Sequence, residues 1–303
     1  MRDKNGVIHA FPWIADCGIS AAARFDLLKA AGLSMPQTFA ELEAAAKAVH
    51  RKEGVAGFLN QNNHGWDFIP YLMGFGGGVF RNPPTDLMPV LDTPAPTSGR
   101  GFLLQFVPQL RAQRRIGVRR QPDGEDVQAG ARQPDDGHSF LLQLGDPATS
   151  KVAKTVNYDM QPGGPKGRFP GVASHGWGIP ASAKNKQASW EFIKWSLSKD
   201  MLKRLLVDKG YGAITRRSVI DSPEFKAKNL VNGVDLAELY LRTIEVGSRG
   251  YMAYRTVNIY PQVNTQLNKA VELIVSNQMS AAQAMKQAQD GSIADIRRAG
   301  VAI

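Results

Sequence analysis

Cysteine is nearly missing from this chain of 303 residues: Cys17 stands alone. That excludes an intramolecular disulfide and leaves packing and hydrogen bonds to hold the fold. Nothing in the sequence approaches the ~18 uninterrupted apolar residues of a membrane span. The amino-terminal stretch MRDKNGVIHAF is polar, and no signal peptide is visible in it. Phe75-Gly76-Gly77-Gly78 lacks a following Gly-Lys-Ser/Thr and a framing βαβ unit, so it reads as a turn and not as a phosphate loop. His64 has no second His or Cys at ligand spacing, which argues against a metal, and no cofactor is expected. Isolated carboxylates do not establish the acid pair of a glycosidase.

Hydrophobic residues make up 43% of the chain and charged residues 21%, the balance of an ordinary globular protein with room for two domains or one large one. The net charge of +10 admits nucleic acid or an acidic surface as partner. However, Lys184, Lys186, Lys194, Lys199, Lys203, Lys226 and Lys228 are spread along predicted helices as solvated faces. No basic run is interleaved with aromatics, so nucleic acid is not expected.

The most informative stretch is residues 169–219. It opens as a short strand over 171–179, interrupted by Gly176-Trp177-Gly178, and Pro180 ends it. A Trp between two glycines has no side-chain neighbours beside it in sequence, so its ring is free to meet a flat partner. Asn185 is placed to cap a helix to Leu197 with Trp190, Ile193 and Leu197 on one stripe, Phe192 and Trp195 beside it. Trp190 and Trp195 are expected to pack in a core. Ser198 caps a second helix that Gly210 stops.

Elsewhere a strand is expected over 6–16, a helix over 20–31 stopped by Gly32, and a capping box at Thr38-Phe39-Ala40-Glu41. A strand over 55–60 leads into the polar loop 61–67 and another helix. In that loop Asp67 either complements a helix N-terminus or joins Asn62, His64 and Trp66 in lining a cleft, the ring stacking and the polar groups fixing hydroxyls. Helices follow over 235–246 and along the stripe Leu267, Val271, Ile274 and Val275. A second capping box at Ser280-Ala281-Ala282-Gln283 opens the last helix, which Gly300 ends.

The block GVASHGWGIPASAKNKQASWEFIKWSLSKDMLKRL resembles the sugar-binding components of bacterial ABC importers, the extracellular solute-binding proteins of maltose-binding type. Type, order and spacing agree over some fifty residues, and the strand 6–16 and the passage from Lys29 to Lys52 are also similar. The resemblance implies an α/β, two-lobed periplasmic-binding-protein fold of class II, with most of the first lobe missing. It assigns residues 1–15 and 173–217 to the first lobe, 16–172 and 218–303 to the second, and an interlobe cleft that closes on a sugar or oligosaccharide. Trp13, Asp16, Asn62, His64, Trp66, Asp67, His175, Trp177 and Arg255 are the ligand-binding residues it suggests. The implied partner is a membrane permease, the implied place periplasmic or extracellular, and the full-length parent a monomer without enzymatic activity. A truncated, non-functional product and a carbohydrate hydrolase are the alternatives.

Family members carry about a hundred further residues ahead of the strand that begins here at Gly6. Without them sugar binding is expected to be weak and apolar faces to be left open to association. Residues 95–138 also depart from the family, being rich in arginine and free of lysine, without helical periodicity. The clean resumption at Ser139 suggests a stretch read in a wrong frame, and disorder is expected there.

Overall fold

The computed structural model describes residues 5–16, 20–50, 57–58, 65–92, 142–148, 150–209 and 213–303. Residues 95–138, Asn62, His64 and Gly210 lie outside them. For Asp16, Trp66 and Asp67 the backbone alone is described. In chain order the elements are β1 (Phe11–Asp16), β2 (Ser20–Arg24), α1 (Phe25–Ala30), α2 (Phe39–Val49), α3 (Gly65–Gly74), β3 (Phe80–Asn82), β4 (Asp86–Pro89), β5 (Val156–Met160) and β6 (Ala173–Trp177). Then come α4 (Lys186–Ser196), α5 (Lys199–Lys209), α6 (Arg217–Ile220), α7 (Pro223–Asn229), β7 (Leu230–Val231), β8 (Val234–Asp235), α8 (Leu236–Gly247), a 3-10 helix (Tyr251–Thr256), α9 (Tyr260–Val275) and α10 (Ala281–Arg298).

Local chemistry accounts for most helix ends. The Thr38 hydroxyl accepts from the Glu41 amide at 3.2 Å while the Glu41 carboxylate accepts from the Thr38 amide at 3.1 Å, the reciprocal box read from sequence. Asn185 accepts from the Ala188 amide, and Asp235 from those of Ala237 and Glu238. At Ser280 the box is only half formed. Its hydroxyl accepts from the Gln283 amide but also donates to the Gln283 carboxamide, which therefore does not cap the Ser280 backbone.

One expected helix is replaced. Residues 20–24 form β2 and only Phe25–Ala30 are helical. The alanines of that stretch favour a helix, but here Ser20 through Arg24 pair antiparallel with Met160 through Val156. Ladder bonds and burial of Ala22 and Ala23 override intrinsic preference. Gly32 then takes φ +71°, the left-handed turn that ends α1 as expected.

Among the described residues the sheets are four antiparallel pairs: β1 with β6, β2 with β5, β3 with β4 and β7 with β8. The first two are joined end to end. Asp16 pairs with Ala173 where β1 and β6 meet the crossing, and Ser20 with Met160 where β2 and β5 leave it. Residues 161–172, which run from β5 to β6, form the crossing between the two ribbons. The largest buried cluster joins α2, α3, the 3-10 helix, α9 and α10, with Val263, Leu267, Ala284 and Ile296 sealed from solvent. A second cluster lies between the β2–β5 ribbon, Leu142, Leu144 and α8, and a third among α5, α6 and α7. No buried cluster includes a described side chain of β1, β6 or α4.

Candidate functional site

The β1–β6 ribbon carries the aromatic chemistry. Phe11 pairs with Trp177, Pro12 with Gly176 and Ile14 with His175, so the register slips by one residue at Trp13. That irregularity re-aims the Trp13 side chain, and its ring lies 5.8 Å from that of Trp177 at 37°. Gly178 has its own reason to be glycine, since a Cβ there would stand 2.9 Å from the His9 carbonyl oxygen. The ribbon is also tied to the segment before α6, where the Thr215 hydroxyl donates to the Pro12 carbonyl at 2.9 Å.

Against this ribbon lies α4. Trp190 sits over Phe11 at 5.3 Å, and Phe192 meets Trp177 edge-on at 5.5 Å and 90°. Trp195 follows Phe192 at 5.8 Å. Four rings therefore form a row, Trp13, Trp177, Phe192 and Trp195. Contrary to the sequence expectation, the Trp177 ring does not stand clear: it is partly buried between Trp13 and Phe192. Trp195 is not a core residue either, being 55% exposed, with Phe192 at 48%. The core expectation rested on the general burial of Trp, but among the described residues only Ile193 and Ser196 of α4 are buried.

Burial has a polar consequence. The Trp177 indole Nε1 is shut from solvent without a hydrogen-bond partner. An indole N–H normally finds one when buried, so this donor is available to whatever enters beside it. His175, exposed on the same strand, and Asp16, at the inner end of β1, share the ribbon with the two tryptophans. Trp66 and Asp67 are at the start of α3.

Arg255 is placed elsewhere, on the 3-10 helix between Tyr254 and Tyr260, whose rings meet at 5.2 Å. Burial pushes the Tyr260 hydroxyl up to about 12, against the opposing pull of the Arg255 charge. Tyr254 is raised further, again chiefly by burial. Both hydroxyls therefore stay protonated at neutral pH. Residues 169–172, which open the stretch read from sequence, are docked on the helical side. Tyr251 donates its hydroxyl to the Pro170 carbonyl and meets Phe169 edge-on at 4.9 Å. A Cβ at Gly247 would strike Val172 at 2.3 Å, so this glycine lets the crossing settle on α8. Among the described residues no cluster of metal-ligating side chains occurs, and no helix is long and apolar enough to cross a membrane.

Residues 136–232 match the sequence model of the family described as bacterial extracellular solute-binding protein. Its span takes in β5, the crossing, β6 and α4 through α7. Over that stretch the chain is similar to the bacterial extracellular solute-binding proteins. No curated protein sequence matches. Among solved structures, an ABC transporter solute-binding protein from Agrobacterium radiobacter K84 in complex with ribitol superposes with a TM-score of 0.71 at 26% identity, covering 96% of this chain and 72% of its own. One from Agrobacterium vitis S4 with bound D-mannitol gives 0.70 at 20% identity, covering 98% and 75%. A maltose-bound protein of T. maritima gives 0.67 at 22%, covering 95% and 73%. The fold is accordingly the two-lobed α/β solute-binding fold, of which this chain accounts for about three quarters of the neighbours' length.

Proposed function

We propose that this chain captures a sugar or polyol for an ABC importer, with the β1–β6 ribbon and its aromatic row as one wall of the site. The observation that carries the reading is Trp177, partly buried between two other rings with an indole N–H that has no partner. Polyhydroxylated solutes present apolar C–H faces that rings cover and hydroxyls that accept from such a donor. Ribitol and D-mannitol in two of the neighbours, and maltose in a third, fit that chemistry. Asp16, Asn62, His64, Trp66, Asp67, His175 and Arg255 are proposed to complete the site with Trp13. In this reading residues 1–15 and 173–217 belong to one lobe and 16–172 and 218–303 to the other, and the crossing at 161–172 lies at the hinge between them.

The role is binding, not turnover, and the partner reading the loaded form is a membrane permease outside the cytoplasm. Isothermal titration with ribitol, D-mannitol and maltose tests it. Saturable heat with at least one of the three is expected, and no release of chromophore from a chromogenic glycoside. Silence across all three, at solute concentrations into the millimolar range, would refute the proposal.

A further inference from the structure

Gln161 is the first residue of the crossing, immediately after β5. It is 3% exposed, and neither its carboxamide nitrogen nor its carboxamide oxygen has a hydrogen-bond partner. The other buried carboxamides among the described residues do not behave this way. Gln289, 8% exposed, accepts from the Leu91 amide at 2.8 Å and donates to the Pro89 carbonyl at 2.6 Å. Asn229, fully buried, donates to the Phe225 carbonyl at 2.7 Å. The polar groups around the crossing are engaged with one another: Gln37 donates to the Asp159 carboxylate, and Arg168 donates to Gln37. Gln161 is left out of that network.

A buried carboxamide with both ends unmet is costly, because each group has lost water and gained nothing. Among the described residues the buried side-chain polar atoms without partners belong to two residues only, Gln161 and Trp177. One follows the β2–β5 ribbon and the other ends the β1–β6 ribbon, with the crossing and β6 between them. Their needs are complementary to a polyol. The amide offers a donor and an acceptor in one plane, which a pair of neighbouring hydroxyls can meet together.

Resting on the proposed solute-capture role, we propose that Gln161 is a hydrogen-bonding contact for the hydroxyls of the captured solute. It is a specificity-determining residue on the far side of the crossing from Trp177. Its unmet amide is retained at the expense of the empty protein's stability, since an apolar side chain of the same length would fill the place without orphaned groups.

The test compares the chain with Gln161→Met. Apo thermal unfolding is followed by calorimetry, and titrations use ribitol, D-mannitol and maltose. Expected are a higher unfolding temperature for the empty variant and at least a tenfold weaker affinity for whichever probe the parent binds. As a second measurement on the parent itself, the Gln161 side-chain NH2 resonances should shift and their exchange with solvent slow on saturation with that probe. An affinity within twofold of the parent, or unmoved NH2 resonances, would overturn the assignment while leaving solute capture in place. Silence of the parent toward all three probes would instead overturn the capture reading, and this one with it.

Discussion

Trp177 allows stability and binding to be separated by two substitutions. Truncation to alanine removes a partly buried indole and both of its ring contacts, at 5.8 Å to Trp13 and 5.5 Å to Phe192. Full burial of such a ring is worth about 3–5 kcal/mol on truncation, and partial exposure puts Trp177→Ala at the low end, about 3 kcal/mol. Trp177→Phe keeps a ring between the same neighbours and deletes the orphaned N–H. Relief of that unmet donor, about 1–3 kcal/mol, offsets the lost area, so this variant should lie within about 1 kcal/mol of the parent. Binding should rank differently. The alanine variant loses stacking and donor together, on the order of 2 kcal/mol, or about thirtyfold in affinity. The phenylalanine variant loses only the donor, about 1 kcal/mol, or about fivefold. Urea unfolding and titration with the preferred solute read the two quantities. If Trp177→Phe destabilises as much as Trp177→Ala, the N–H has a partner and the reasoning fails. Parental affinity in both variants would remove Trp177 from the site.

Two further outcomes follow from other parts of the molecule. Phe192 and Trp195 are 48% and 55% exposed, so the parent should associate with rising concentration; sedimentation of Phe192→Ser/Trp195→Ser should show a shift toward monomer, and an unchanged profile would place the association elsewhere. Asp26 is held below the usual carboxylate range by its hydrogen bonds and charge pairing with Arg24 at 2.6 Å. A depressed carboxylate stabilises the fold above its unfolded value, and that contribution is lost as pH falls through the folded one. The side chain is 37% exposed, so screening keeps the term under about 1 kcal/mol. Asp26→Asn should therefore lower stability at neutral pH by that amount and flatten its fall below the ordinary carboxylate value, and a cost that persists unchanged at low pH would contradict the assignment.

What could be read from the sequence was mostly local. Thr38, Asn185 and Asp235 announce their helices because a capping side chain needs only the next few amides. Gly32 and Gly300 announce ends because a left-handed residue is strained for anything with a Cβ. The strand at Ser20–Arg24 was not legible, since its partner lies at Val156–Met160, far along the chain. Within the site, Trp13 and Trp177 were both singled out from sequence and the structure brings their rings together. Gln161 carried no signal, because a single glutamine after a strand has no pattern, and its importance appears only once burial and the absence of partners are known.

The ribbon, the crossing and α4 are incomplete in two physically distinct ways. Phe192 and Trp195 present apolar area to water, a deficit that scales with area and that any apolar cover relieves. Trp177 and Gln161 present the opposite problem, polar atoms already hidden from water and unmatched. More apolar cover over α4 would do nothing for them, since only a donor or acceptor at hydrogen-bond distance can. Association through the exposed rings and the proposed capture of a solute by the buried amide and indole therefore act on separate atoms. Solubilising α4 at positions 192 and 195 should reduce self-association more than it reduces the energetic demand for a polar guest. That demand is set by the Trp177 and Gln161 atoms alone, and it is the feature of this chain that a core-packing role for its tryptophans leaves unexplained.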